Sequence, residues 1–234
     1  MRTFCGLAAA FLLAAAPGVR AQLDNAPMPV PLPIPIPIPI AAASAAMPAQ
    51  DLDALRAVHA REINDLSTFK TIGLQRPVID GWLEGEDGQQ FLAQLRAADP
   101  GAPAETIYAR AVEQLASGNK LPTVWLIDIP LYKVVPHGQS VLRYSPYFTT
   151  IGQLQGSDEC DSLADCFGLP LRSEAPLYDV YEVTPNGTVT VFVSSVAPTE
   201  ELGGLVRRKG GALQYLLPNR KLWSAPVLVG TIKN

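Results

Sequence analysis

Apolar positions change period along the chain, and each change marks a different kind of element. From Gln50, Leu52, Leu55, Val58, Ile63 and Leu66 recur at roughly helical spacing, and Asp51 and Asp53 stand where a first helical turn favours acids. The stretch 67–86 loses that period and holds Gly73, Pro77 and Gly81, which predicts irregular chain. Helical spacing returns over Gly88 to Ala98 and over Ala104 to Ser117, the latter entered at Pro103 and stopped by Gly118-Asn119. After Leu121 the period shortens. Thr123 to Val135 (TVWLIDIPLYKVV) is rich in β-branched and aromatic residues, and Pro130 makes it either two short strands or one bulged edge. Val141 to Tyr147 continues the sheet. Tyr178 to Val183 and Thr188 to Val193 read as a hairpin across Pro185-Asn186-Gly187, and Trp223 to Ile232 is a last strand. Helices first and strands second predict an α+β fold.

The region before this pattern reads differently. Arg2, the apolar run Gly6 to Ala16 and Val19-Arg20-Ala21 have the order of a signal peptide, cleaved near Ala21, with an apolar core too short for a transmembrane anchor. The expected location is secreted or periplasmic. Residues 22–48 alternate proline with Val, Leu and Ile and then turn alanine-rich, which favours an extended polyproline II linker over a packed element. The expected organisation is signal peptide 1–21, linker 22–48, helical region 49–120 and a β-rich domain 121–234.

Loss of Arg2 and Arg20 with the signal peptide makes the chain two charges more acidic than its formal −4. An acidic chain without a large Lys/Arg cluster argues against nucleic acid and anionic membrane as partners. Arg207-Arg208-Lys209 is a basic run, read as a solvated turn or, with the glycine pair behind it, as a place for a phosphate-bearing ligand. The cysteines left after cleavage, Cys160 and Cys166, predict a disulfide in an oxidising compartment. His59 and His137 lack ligand spacing to that pair, and neither suggests a catalytic dyad. Asp158, Asp161 and Asp165 carry enough carboxylates for calcium, but a disulfide-pinned solvated loop is the preferred reading. There is no Gly-x-Ser-x-Gly elbow, Walker loop or dinucleotide fingerprint.

What remains is an ordered string of short motifs. Phe167-Gly-Leu-Pro-Leu171 leads to Tyr178-Asp-Val-Tyr-Glu-Val183, then Val196-Ala-Pro198, then Gly210-Gly-Ala-Leu-Gln-Tyr215. In order and spacing this resembles the tuberculosis-necrotizing-toxin family of secreted NAD glycohydrolases, over about Leu131 to Asn234. The resemblance implies a strongly bent, mainly antiparallel, ADP-ribosyltransferase-like sheet with NAD or NADP as substrate and no required cofactor. It further implies a toxin or effector role and an immunity protein as possible partner.

By that resemblance Gln214 is the catalytic residue, its amide orienting the nicotinamide ribose, with Gly210 and Gly211 letting substrate approach the backbone. Arg143 is the candidate for the pyrophosphate, since guanidinium offers a bidentate fork to phosphate oxygens. Tyr147 or Phe148 is the aromatic beside nicotinamide; either also reads as a core aromatic at strand alternation. Thr149 or Thr150 is a further hydroxyl contact to ribose. Asp179 stands where relatives often carry a histidine, and Arg208-Lys209 replaces the family's lead-in to the glycine turn. These departures leave an inactive exported binding or envelope-associated module of the same fold as the alternative. A protein ADP-ribosyltransferase fits less well, because such enzymes carry a glutamate where this chain has Gln214.

Overall fold

The computed structural model describes residues 49–142, 145–155 and 160–234. The signal peptide, the linker, Arg143 and Asp158 lie outside the described residues. The first helical stretch divides at His59 into α1 (Ala49–Val58) and α2 (Ala60–Asp65), and α2 stops where Leu66 turns left-handed at φ 57°. After β1 (Lys70–Thr71) comes α3 (Arg76–Glu84), where irregular chain was expected. Pro77 falls in its first turn, where a missing N–H costs nothing, and Gly81 lies on its open side. Ile79 and Leu83, four apart, supply its buried face. α4 (Glu86–Ala98) and α5 (Ala104–Ala116) bury Phe91, Leu92 and Leu95, and Ile107, Ala111 and Leu115.

The rest of the chain is β2 (Thr123–Ile127), β3 (Leu131–Pro136), β4 (Tyr147–Phe148), short α6 (Ile151–Leu154) and α7 (Leu163–Cys166), β5 (Leu177–Val183) and β6 (Val189–Ser195). It ends with β7 (Thr199–Glu201), β8 (Val206–Arg208), β9 (Leu213–Leu216) and β10 (Val227–Lys233). The fold is α+β, and its ladders are antiparallel in the orders β2-β6-β9-β4, β10-β5-β3 and β1-β7-β8.

Pro130 separates two strands that enter different sheets. The hairpin expected across Pro185-Asn186-Gly187 does not form: β5 lies between β10 and β3, and β6 between β2 and β9, so neither has an edge left for the other. The turn is instead a corner between sheets, where Pro185 bridges Trp223 and the Asn186 N–H donates to the Leu222 carbonyl at 2.9 Å. Of the strand expected over Val141 to Tyr147, the described residues Val141, Leu142, Ser145 and Pro146 lie outside any strand and Tyr147 begins β4. The last strand begins at Val227, leaving Trp223 to pack in a core.

Strand alternation on β6 and β9 sorts the interior. Phe192 and Leu216, opposite one another in register, face α3, α4 and α5. Phe91 meets Phe192 edge-on, with centroids 4.8 Å apart. Val191, Val193 and Tyr215 point the other way, onto Leu131, Val183 and Trp223. The two larger sheets meet at one bridge, where Tyr132 and Thr149 exchange N–H···O bonds of 2.8 Å. Beyond it no ladder joins β3 to β4, and a cavity opens there. Among the described residues no helix is long and apolar enough to cross a membrane.

Candidate functional site

The cavity has a volume of about 480 Å³, within the range of small-molecule sites. Its walls come from β3, β4, β9, the end of α5 and the segment around β1. Gln214 reaches it because of strand register. On β9 it shares a face with Leu216, which goes into the helical core, but it stands two residues nearer the strand's start. There α5 ends, and the side chain meets Ser117 instead of an apolar helix face.

That meeting is fixed from both sides. The Ala197 N–H donates to the Ser117 carbonyl at 2.8 Å and the Asn119 N–H to the Ser195 carbonyl at 3.0 Å, tying α5 to the end of β6. Gly118 allows this approach: a Cβ there would fall 2.5 Å from the Ser194 hydroxyl. Leu213 is held by Thr149, whose hydroxyl donates to its carbonyl at 2.8 Å, and by Gln153, whose oxygen accepts its N–H at 3.0 Å. The Ser117 hydroxyl lies 2.6 Å from the Gln114 carbonyl and 3.3 Å from Gln214 Oε1, either of which can take its one proton. Gln214 Nε2 donates to Ser117 Oγ at 3.1 Å, and Oε1, with two lone pairs and Ser117 as its one protein donor among the described residues, keeps at least one for a ligand hydroxyl. Gln214 is only 4% exposed, so its amide is held in place by the protein at the cavity edge.

Tyr147 and Phe148 diverge by alternation. Tyr147 packs toward the helices and lines the cavity; burial, and then the charge of Glu113, push its phenol up to about 12, opposed by a hydrogen bond with Ser117. Phe148 borders the cavity but is buried in the inter-sheet core, with the Arg220 guanidinium 4.5 Å above its ring. Thr149 lines the cavity while its hydroxyl is spent on Leu213.

Gly210 and Gly211 do not line it. Their N–H groups donate to the carbonyls of Asp165 and Val196, at 3.0 and 2.9 Å, and a Cβ on Gly210 would strike the Val196 and Ala197 carbonyls. With φ of 68° and 94° they form a turn seated against the loop closed by the Cys160–Cys166 disulfide. The basic run is likewise consumed: Arg207 pairs with Glu200, Arg208 with half-buried Glu174 at 2.6 Å, and Lys209 with Asp161 at 2.9 Å. Asp165 accepts the Lys209 N–H, and the Lys209 ammonium pairs with Asp161 and lies 3.7 Å from Asp165, so these two carboxylates share the protein's own lysine. His137, expected to lack a partner, meets buried Asp179 through Nδ1 at 2.7 Å; that bond and the Gly138 N–H hold the carboxyl below its usual range.

Sequence reasoning passed over Lys133. It lies mid-strand in β3, lines the cavity and donates to the Tyr147 carbonyl at 3.2 Å, near the Tyr147 and Phe148 rings. Among the described residues it has no carboxylate partner, and burial, then the charge of Arg220, pull its amine down to about 8. The signal was present: a lysine flanked by Leu131, Tyr132, Val134 and Val135 breaks an apolar run. Glu113, on α5 and also at the cavity, gave no such signal, because a helical surface glutamate looks the same wherever it points.

No protein-family model matches the chain, and no curated protein matches it. Among solved structures it is similar to one described as Rhs1-CT in complex with cognate immunity protein RhsI1. The match has 14% identity and a TM-score of 0.32, and covers 50% of this chain and 87% of that one.

Proposed function

We propose that the protein is an exported NAD(P) glycohydrolase that cleaves the nicotinamide–ribose bond to give nicotinamide and ADP-ribose, acting as a toxin or effector. The observation that carries this reading is Gln214, a buried amide held by Ser117 and turned to a cavity that also holds an aromatic ring and an uncompensated cation. Cleavage of the glycosidic C–N bond gives the ribose oxocarbenium character and releases neutral nicotinamide, and a water adds to the anomeric carbon and loses a proton to solvent, giving ADP-ribose. Gln214 Oε1 accepts from a ribose hydroxyl and fixes the sugar. Tyr147 stacks beside nicotinamide, and Lys133 takes the pyrophosphate, the role expected of Arg143. Preorganised dipoles that need not move as charge develops supply most of such an acceleration. The motif string from Phe167 to Tyr215, with its resemblance to secreted NAD glycohydrolases, supports the same reading. The Cys160–Cys166 disulfide fits an oxidising compartment.

A second reading is a binding module of the same fold without turnover. The committed N–H groups of Gly210 and Gly211 and the neutralised basic run favour it. Consumption of NAD and NADP by purified protein, beside Gln214→Ala, separates the two. Turnover that falls about 100-fold or more in the variant, with an unchanged melting transition, is expected for the enzyme. ADP-ribose binding without turnover supports the module.

A further inference from the structure

The cavity carries charge of both signs on separate walls. Lys133 contributes the positive wall from β3, and Glu113 the negative wall from α5. The two do not neutralise one another: among the described residues neither forms an ion pair with the other or with any opposite charge. The charge acting on Lys133 is that of Arg220, whereas the charge acting on the Tyr147 hydroxyl is that of Glu113. Tyr147 lines the same cavity as both charges, its backbone carbonyl bonded to the lysine and its phenol within the field of the Glu113 carboxylate. Glu113 and Ser117 are four residues apart on α5, so the carboxylate lies one turn along the wall from the Gln214 amide.

We propose that Glu113 reads the positive charge of an aromatic heterocycle seated on Tyr147, so that the cavity selects a dipolar ligand whose anionic end lies at Lys133. This rests on the glycohydrolase reading for the ligand's identity and adds the element that distinguishes a pyridinium from its neutral counterpart. A carboxylate beside an aromatic face attracts a flat cation and gains little from an uncharged ring. Oxidised NAD, with a pyridinium at one end and a pyrophosphate behind it, fits both poles. Reduced NAD, whose dihydropyridine is neutral, fits one.

The test uses small probes that lack phosphate. Calorimetric or fluorescence titration of the protein compares the N-methylpyridinium form of nicotinamide with nicotinamide itself, in wild type and in Glu113→Gln. The expected result is a preference of about 3- to 5-fold for the cation in wild type, the span a part-exposed ion pair supports, lost in the variant. Glu113 is exposed, so the variant is expected to fold normally, which its melting transition checks. Equal affinities in wild type, a preference that survives in Glu113→Gln, or no binding of either probe overturns the proposal. A cation preference in a protein that neither binds nor consumes NAD leaves the charge-reading wall standing and removes the glycohydrolase reading alone.

Discussion

Lys133 shows how one side chain joins packing to chemistry. On the edge strand β3 it lies against the Tyr147 and Phe148 rings, so its ammonium loses water without gaining a carboxylate, and its pKa falls from 10.5 to about 8. The sign of the consequence follows from linkage. Between about pH 8 and 10.5 the unfolded chain binds more protons than the folded one, so stability rises with pH through that window. The cost is fully present below about pH 8. Lys133→Met is therefore expected to stabilise the protein at pH 7 by about 1–2 kcal/mol, a gain that shrinks above pH 8, and to weaken ADP-ribose binding. Denaturant titrations across pH check the first part and calorimetry the second. A gap that does not vary with pH would mean that the amine stays hydrated. Gln214 was legible as a candidate because it ends an ordered string of motifs, and Tyr147 only as one of two neighbouring aromatics, Tyr147 or Phe148. Lys133 was legible only as an interruption, and Glu113 not at all, since exposed helical residues carry no local mark of what faces them.

At the level of elements, local chemistry located most helices and strands but not their partners. Pro77 suggested a break when read as interior chain, yet in a first turn it is compatible with α3. Pro185-Asn186-Gly187 satisfies a hairpin and a sheet-to-sheet corner equally, and the neighbours of β5 and β6 decided for the corner. The α3–α4 joint depends on a glycine that has nothing to do with a turn. A Cβ on buried Gly88 would fall onto the Trp82 carbonyl and the Leu83 Cα. Gly88→Ala, ordinarily favourable in a helix, is expected to destabilise by about 1–3 kcal/mol through this overlap, measured by thermal or urea unfolding. Neutral or improved stability would show that the two helices separate at little cost.

Across the whole molecule, helices and strands share one interior. Phe192 of β6 and Leu216 of β9 are fully buried among Ile79, Leu83, Phe91, Leu95 and Ile107. The end of α5 also supplies Ser117 to Gln214 and Glu113 to the cavity. A fragment of residues 121–234 would expose that apolar face and lose the amide's partner. It is expected to show no cooperative unfolding transition and no NAD turnover, whereas residues 49–234 retain both. A cooperative, active fragment would show that the helices are dispensable.

Local sequence determined the α+β order, the approximate extent of α4 and α5, the prediction of a Cys160–Cys166 disulfide and the motif string that singles out Gln214. These depend on near neighbours: helical or strand period, cysteine spacing and glycine in a turn. Tertiary structure alone decided which strands share a sheet, that His137 meets Asp179, and that Gly210, Gly211 and the basic run are committed to the protein's own carbonyls and carboxylates. It also decided that Lys133, Glu113, Tyr147 and Gln214 surround one cavity. The reason is physical. Pairing edges and unneutralised charges are properties of what lies across space, and residues more than 60 positions apart meet here only because the split between β3 and β4 faces the end of α5.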